Sequence, residues 1–212
     1  METNGLQIFI QITTAIISLF VCIIAIWGDQ IRYKFGLHPK LIIKGCEPNK
    51  TLTTSLNGDR IWIWQLIIKN INSSWSVAKN VRLLILSITK TYPDGRREEP
   101  QAINGALQIT WQFPEFVDKD PDMGPERLCD LGGLPKDSDC FMIFVYQEYK
   151  EFIGFVKKDE EIELLVQVYS LYVKSDIYKL KISWDGIWSE SFKEQDRHIK
   201  IELEKYTVQS GI

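Results

Sequence analysis

The N-terminal segment from Ile8 to Trp27 constrains the fold more than any other part of the chain. It reads IFIQITTAIISLFVCIIAIW, and no residue between Glu2 and Asp29 carries a charge. At about 1.5 Å per residue, a helix of roughly 20 residues matches a hydrocarbon core about 30 Å thick. A buried helix of a globular core seldom runs this far without a charge, so the segment predicts a single transmembrane helix.

A cleaved signal peptide is the main alternative to a permanent anchor. Such a peptide begins with Lys or Arg and ends in a small-x-small cleavage site. This segment begins with Glu2 and ends in Trp27-Gly28-Asp29, so we interpret it as an uncleaved signal-anchor with the lipid bilayer as a partner. The polar residue Gln11 either approaches the outer interface or bonds to a neighbouring helix of an oligomer.

The flanks of the span predict its orientation. No Lys or Arg precedes it, whereas the stretch from Gln30 to Cys46 contains no acidic residue and four basic ones: Arg32, Lys34, Lys40 and Lys44. Because basic residues concentrate on the cytoplasmic side, the sequence predicts a single-pass protein of the inner membrane with a cytoplasmic C-terminal domain. The expected membrane-interface residues on that side are Trp27, Arg32, Tyr33, Lys34 and Phe35.

Beyond an anchor and basic juxtamembrane segment at positions 1–38, positions 39–212 read as one β domain. Short runs rich in Ile, Val, Leu, Trp and Tyr predict about eight strands. The runs are Lys40–Cys46, Arg60–Ile71, Ala78–Thr91, Ala106–Trp111, Cys140–Tyr146, Glu161–Leu171, Asp176–Trp184 and His198–Tyr206. Helical periodicity is weak outside the anchor and allows one short helix, around Tyr146–Phe155 or Glu190–Arg197. Many strands with few helices favour a β-sandwich or a barrel.

Three turn sequences separate these runs, each with a glycine at a position that tolerates positive φ: Asn57-Gly58-Asp59, Tyr92-Pro93-Asp94-Gly95 and Asp185-Gly186. The run Arg60–Ile71 is apolar on both faces, which predicts a central strand or one that contacts something besides the core. These patterns describe a mainly β chain with one N-terminal transmembrane helix.

The stretch LIIKNINSSWSVAKNVRLLILSI, Leu66 to Ile88, resembles a strand–loop–strand pattern of immunoglobulin-like and CARDB-like bacterial sandwich domains. The resemblance implies an antiparallel immunoglobulin-like β-sandwich in which Ala78 allows close packing while Val81 and Leu83 face the core. It covers roughly one hairpin, and the inter-sheet disulfide of antibody domains is absent.

A second resemblance covers most of the chain. It rests on Trp27-Gly28-Asp29 with Arg32, Phe35 and Pro39-Lys40-Leu41, on Lys69-Asn70 with Ala78-Lys79-Asn80-Val81, and on Trp184-Asp185-Gly186-x-Trp188. These residues look like those of uncharacterised bacterial single-pass membrane proteins. The resemblance implies the architecture only, and it supplies no catalytic residue.

The sequence lacks the usual motifs of enzymes and cofactor-binding proteins. Gly-x-Ser-x-Gly, P-loop, Gly-x-Gly-x-x-Gly and His-Glu-x-x-His patterns are missing, and His38 and His198 lie far apart. The segment Asp118–Glu126 alternates aspartates but departs from the EF-hand pattern, so a solvated acidic loop is favoured over a calcium site. A net charge of −3 argues against nucleic-acid binding. We therefore expect no cofactor, no metal and no catalysis.

Tryptophans are the remaining candidates for a binding surface. The chain has seven, and tryptophan is frequent both in sandwich cores and at interfaces. Trp75, in a polar loop, is the first candidate to bind a partner, and Trp188, just beyond the Asp185-Gly186 turn, is the second. A loop tryptophan packs back over the end of the sandwich in the competing interpretation.

Three functional hypotheses remain. The first is a cytoplasmic, non-catalytic interaction module that binds a protein partner or a second copy, as the membrane component of a phage-defence or envelope assembly. The second is an extracytoplasmic sandwich that binds a ligand or glycan. The third is an enzyme with scattered carboxylates such as Asp130, Asp185 and Glu163, which the sequence gives no reason to favour.

Overall fold

A computed structural model describes residues 3–34, 38–49, 52–54, 58, 60–74, 76–98, 101–112, 119–147 and 152–207. The chain divides into two compact units, Met1–His38 and Pro39–Ile212. The first contains a single long helix, and the second contains the strands.

Helix α1 extends over Thr3–Lys34 and includes a stretch, Gln7–Gly28, that is long and apolar enough to cross a membrane. The apolar side chains described along that stretch are mostly exposed. The hydroxyls of Thr13 and Thr14 donate to the carbonyls of Phe9 and Ile10, at 2.9 and 2.8 Å. These bonds satisfy two polar groups within the helix itself.

The second unit is mainly β, and its described residues form twelve strands and one short helix. In chain order they are β1 (Leu41–Pro48), β2 (Thr53–Thr54), β3 (Arg60–Asn70), β4 (Arg82–Thr91), β5 (Gln101–Gln108), β6 (Thr110–Trp111), β7 (Glu126–Pro135), β8 (Cys140–Ile143), β9 (Phe155–Lys157), β10 (Glu161–Tyr169), β11 (Lys174–Trp184), α2 (Phe192–His198) and β12 (Ile199–Lys205).

The strands form two antiparallel sheets that enclose one core, as predicted for a sandwich. The first sheet has the order β1-β3-β7-β8-β9, with β2 paired to β3 and β6 paired to β7. The second has the order β12-β11-β10-β4-β5. If β1, β3, β4, β6, β7, β10 and β11 are named A, B, C, D, E, F and G, the pairings A-B-E-D and C-F-G are those of an immunoglobulin-like sandwich.

Side chains from both sheets fill the space between them. From the first sheet, Trp64 meets the Phe141 ring edge-on, with 5.6 Å between the ring centroids. From the second, alternate residues of β10 from Ile162 to Val168 are fully buried, as are Ile85 and Ile88 of β4. Ala78, Val81 and Leu83 are also fully buried, as the sequence predicted. Strand β3 lies between β1 and β7, which confirms the central position inferred from its two apolar faces.

The sequence missed strand β7, because its apolar run is interrupted by Asp130 and by the pair Gly132-Gly133. Strand β7 pairs with β3 on the side opposite to β1. Its glycines are required by packing, since a Cβ on Gly132 would meet the Phe141 ring at 2.8 Å and a Cβ on Gly133 would meet Ile61 at 2.7 Å. The short strands β2 and β9 were missed as well.

Several predicted boundaries also differ. The run that begins at Ala78 becomes a strand only at Arg82, because Ala78 itself pairs with Met123 in an isolated bridge. The run Cys140–Tyr146 is a strand only as far as Ile143. The one short helix is α2, close to the predicted Glu190–Arg197, whereas the described residues of Tyr146–Phe155 are not helical.

The two ends of the sandwich carry different loops. We call the end at which the chain enters β1 the near end, and the opposite end the distal end. The near end holds the start of β1, the loop at positions 71–81, the loop at 121–125 and the β10–β11 turn. A backbone bond from Leu171 N to Lys79 O, 2.9 Å long, joins the two sheets there. The distal end holds the β9–β10 turn, α2 and the segment Asp185–Ser191, which we call the distal loop.

Candidate functional site

Of the two candidate tryptophans, only Trp188 lies within the described residues. Trp75 lies outside them, but the loop that carries it is anchored by the buried side chain of Asn70. The Asn70 Oδ1 atom accepts bonds from Lys40 N and Asn72 N at 3.1 and 3.2 Å, and its Nδ2 atom donates to Ser76 O at 2.8 Å. The ends of this loop are therefore fixed by one amide side chain.

The distal loop begins with a turn that its own side chains stabilise. Ile187 N donates to Asp185 Oδ1 at 3.0 Å, and the Trp184 indole N–H donates to Ile187 O at 3.0 Å. Gly186 has φ +88° and supplies the left-handed conformation that the turn needs. The result is a defined loop in which the Ile187 side chain is 50% exposed.

Helix α2 and strand β3 hold the second half of the distal loop. Ser189 N donates to Gln195 Oε1 at 2.7 Å, and Ser189 O accepts the Trp62 indole proton at 2.8 Å. The Gln195 side chain is buried, and Phe192 packs on Trp62 with 6.0 Å between ring centroids. Side-chain hydrogen bonds, and not a strand ladder, thus position this loop.

Trp188 is half-buried and packs against the core, so its ring is only partly available at the surface. Lys136 Nζ lies 5.7 Å from the centroid of the ring. Within the described chain no acceptor reaches the buried Trp188 indole N–H. Beside it, Glu190 pairs with both Arg60 and Lys136, at 3.2 and 3.3 Å. The arrangement combines an apolar ring, an unused donor and a charged rim.

An open groove of about 460 Å³ lies next to the distal loop. Both acidic and basic side chains contribute to its walls: Asp159, Glu160, Glu161, Ser183, Trp184, Asp185, Arg197, His198 and Lys200. His198 Nδ1 lies 2.8 Å from Asp185 Oδ2, which ties the end of α2 to the start of the distal loop. The groove therefore presents both signs of charge, with four carboxylates against the two cations of Arg197 and Lys200.

A buried ion pair lies beneath this groove. Lys90 Nζ and Glu160 Oε2 are 2.8 Å apart, and their side chains are 3% and 10% exposed. The ammonium group also donates to Phe155 O at 3.2 Å and lies 4.1 Å from the centroid of the Phe155 ring. Glu160 Oε2 accepts Lys157 N at 2.8 Å. Both charges are satisfied, and together they join β4 to the β9–β10 turn.

The three carboxylates considered for an enzyme do not meet. Asp130 lies on β7 of the first sheet and accepts a bond from Gln65 Nε2 at 2.7 Å, whereas Glu163 lies on β10 of the second sheet and pairs with Arg97 at 3.4 Å. Burial raises the pKa of Asp130, and the Gln65 bond offsets part of the rise. Asp185 is at the distal loop. This trio provides no shared acid–base site.

The acidic segment uses its described carboxylates in ion pairs. Asp120 lies 2.6 Å from Arg82, and Asp122 lies 2.6 Å from Lys79 and also accepts Asn80 N at 3.2 Å. The Lys79 bond lowers the pKa of Asp122. Asp118 lies outside the described residues, among which no group of three His, Cys, Asp or Glu side chains could hold a metal ion.

The cysteines of the β domain are thiols whose environments oppose ionisation. Burial raises the pKa of Cys46 to about 12, and burial raises the pKa of Cys129 well above its ordinary value. The pKa of Cys140 is also raised, chiefly by burial. Since the thiolate is the nucleophile, these residues are poorly suited to covalent chemistry.

The expected membrane-interface residues fall around the C-terminal half of α1. Trp27 is 49% exposed and lies at the end of the apolar stretch, and Lys34 is exposed at the last position of the helix. Arg32 and Tyr33 belong to the last turns of the helix, and Phe35 lies outside the described residues.

Comparisons with known proteins identify no relative. No protein-family model, curated protein sequence or solved structure matches the chain. The function can therefore be inferred only from the residues of the chain itself.

Sequence reasoning singled out Trp188 but missed the residues that build its surroundings. Gln195, Trp62 and the Lys90–Glu160 pair come from α2 and from three other parts of the sandwich, and no spacing in the sequence links them. The one available signal was Trp184-Asp185-Gly186-x-Trp188, whose turn and indole bond organise the distal loop.

Proposed function

We propose that the chain is a membrane-anchored, non-catalytic interaction module that faces the cytoplasm and binds a protein partner or a second copy through its distal end. It serves as the membrane component of a larger assembly, such as a phage-defence or envelope complex. The observation that carries the proposal is the combination of an apolar stretch, Gln7–Gly28, with a β-sandwich whose far end presents a defined loop. Loops held by a rigid sandwich are frequent binding sites.

The distal loop suits a protein partner better than a small polar ligand. It presents the exposed Ile187 beside the half-buried Trp188, with a rim of charges from Arg60, Lys136 and Glu190. Protein interfaces combine an apolar anchor of this kind with a polar rim. The neighbouring groove, with both signs of charge, adds positions for ion pairs with that partner.

The cytoplasmic orientation rests on the basic flank of α1, where Arg32, Lys34, Lys40 and Lys44 precede the first acidic residue of the domain. A reporter fused after Ile212 tests it. We expect activity from a reporter that works only in the cytoplasm and none from one that works only after export. The reverse result would exclude the cytoplasmic proposal and favour an extracytoplasmic ligand- or glycan-binding sandwich.

A photo-crosslinking amino acid tests the distal loop as the binding surface. In the full-length protein it is placed at Ile187, and in a matched sample at Lys205, which is exposed at the last position of β12, at the opposite end of the sandwich. We expect a discrete crosslinked product at position 187 and none at position 205. A product of twice the chain mass would identify a second copy as the partner. Identical products at both positions, or none at either, would contradict the proposal.

A further inference from the structure

The near end exposes a group of large apolar side chains. Four of them have exposed fractions between 44% and 57%, and we call this group the near-end patch: Ile71, Val77, Leu171 and Tyr172. Single exposed apolar residues are common on soluble domains, but a group at one end of a sandwich indicates a surface that water does not normally cover.

Backbone bonds place the patch beside the point where the chain enters the domain. Ile71 N donates to Lys40 O at 2.9 Å, and Lys40 immediately precedes β1. Leu171 N donates to Lys79 O, also at 2.9 Å, which brings the β10–β11 turn to the loop that carries Val77. The patch therefore lies at the end of the sandwich where the chain enters β1.

The connection to α1 is short. Helix α1 ends at Lys34 and β1 begins at Leu41, so the connecting chain extends over at most about 25 Å. Strand β3 alone, with 11 residues, is about 35 Å long. A tether of this length allows the near end to reach the bilayer that holds α1.

Charge at the near end is compatible with a lipid headgroup layer. Glu126, Asp120 and Asp122 lie 3.2, 2.6 and 2.6 Å from the cations of Lys69, Arg82 and Lys79. Lys40 and Lys174 add exposed positive charge at the entry of the chain and at the start of β11. Basic side chains attract anionic headgroups, and tyrosine is favoured at the boundary between headgroups and acyl chains.

We propose that the near-end patch inserts into the headgroup–acyl boundary of the bilayer that holds α1. This inference rests on the membrane anchoring in the proposed function and adds a second contact with the membrane. Such a contact orients the sandwich, so that the distal loop points away from the bilayer towards its partner. Apolar groups that dock at a bilayer surface typically enter it by about 5–10 Å.

Quenching by brominated lipids tests the insertion. The full-length protein, carrying a fluorescent amino acid at one position, is reconstituted into phosphatidylethanolamine–phosphatidylglycerol vesicles whose acyl chains bear bromine. The probe is placed at Leu171, at Ile187 or at Phe20, in three separate samples. Leu171 and Ile187 form a matched pair, since both are exposed aliphatic residues at opposite ends of the sandwich.

We expect strong quenching at Phe20, a several-fold greater loss of fluorescence at Leu171 than at Ile187, and little loss at Ile187. Quenching at Phe20 with equal, weak quenching at Leu171 and Ile187 would overturn the insertion while the anchor stands. Absence of quenching at Phe20 would overturn the anchoring itself, and the insertion with it.

A double variant, Leu171→Ser with Tyr172→Ser, provides the second test. With the probe at Val77, we expect these polar replacements to reduce quenching, whereas Ile187→Ser leaves it unchanged. If the double variant instead disperses an oligomer and quenching at Val77 is absent from the start, the patch is a contact between copies and the insertion is overturned.

Discussion

The two ends of the sandwich both hold their loops with buried polar side chains, but they expose different surfaces. At the near end, the Asn70 side chain fixes the loop after β3, Gln167 and Ser175 fix the β10–β11 turn, and large aliphatic groups such as Leu171 remain exposed. At the distal end, buried polar side chains such as Gln195 and Glu160 fix the loops from inside. The near end therefore presents apolar surface, while the distal end presents a shaped loop with charges around it.

The two surfaces are suited to different kinds of contact. A bilayer surface is featureless and needs exposed apolar groups rather than a defined shape. A protein partner needs fixed loops, because a preorganised surface loses less conformational entropy on binding. By this criterion the exposed apolar groups of the near end suit a bilayer surface, and the fixed distal loop suits a protein partner.

Breaking the buried Lys90–Glu160 ion pair at the distal end is expected to lower the free energy of unfolding most. Glu160→Ala leaves Lys90 buried without its carboxylate, which is expected to cost about 3 kcal/mol of unfolding free energy. The measurement is denaturant unfolding of the full-length protein in detergent, followed by tryptophan fluorescence.

The matched control is the exposed pair of Lys205 and Asp176, whose groups lie 2.8 Å apart on the surface. Lys205→Ala is expected to cause no measurable loss, because exposed ion pairs contribute little. Equal effects of Glu160→Ala and Lys205→Ala would show that the buried pair is not a structural base of the distal end.

The next largest losses of stability are expected from one substitution at each end of the sandwich. Asn70→Ala removes three hydrogen bonds of a buried amide and is expected to destabilise the domain by about 2 kcal/mol. Gln195→Ala removes the bonds to Ser189 N and Ile187 O and is expected to cost about 1–2 kcal/mol.

Hydrogen exchange locates the damage caused by these two variants. We expect Asn70→Ala to increase amide exchange at positions 71–78 and Gln195→Ala to increase it at positions 185–191, each without a change at the other end. Increased exchange at both ends in either variant would mean that the ends are not independently held.

The sequence was sufficient for the long apolar helix, the sandwich and the loop turns, since each depends on local pattern. An uncharged apolar run predicts a span, alternating apolar runs predict strands, and Asp185-Gly186 predicts a turn. It was insufficient for β7, because Asp130 breaks the pattern and its partner Gln65 is distant in the chain. The Lys90–Glu160 pair escaped for a similar reason, since a lysine within a strand usually faces solvent.

A smaller change in stability is expected with pH, because the pKa values of Asp130 and Asp122 change on folding. Burial raises the pKa of Asp130 above its unfolded value, so the folded protein binds more protons in that range and loses stability as pH rises through the folded pKa. Asp122, whose pKa is lowered by Lys79, contributes stability above the unfolded pKa that is lost as pH falls through the folded pKa.

Melting temperatures measured against pH distinguish the two carboxylates. Relative to wild type, Asp130→Asn is expected to gain stability as pH rises from the acid range towards neutrality, and Asp122→Asn is expected to lose it. Asp130 is a buried carboxylate in the first sheet, whereas Asp122 is an exposed one at the near end. Parallel curves for wild type and Asp130→Asn would show that the Asp130 carboxyl does not titrate differently on folding.

The smallest effect on stability is expected from replacing one exposed aliphatic residue at each end, Leu171 at the near end or Ile187 at the distal end. Leu171→Ser and Ile187→Ser each alter a side chain that is at least half exposed, so both variants should unfold within about 0.5 kcal/mol of wild type. Their binding consequences should nevertheless be opposite. Leu171→Ser should weaken the lipid contact and leave the partner crosslink from the distal loop intact, while Ile187→Ser should do the reverse. If either variant changed both contacts, the two ends would be one coupled surface, and orientation by the membrane would not be separable from partner binding.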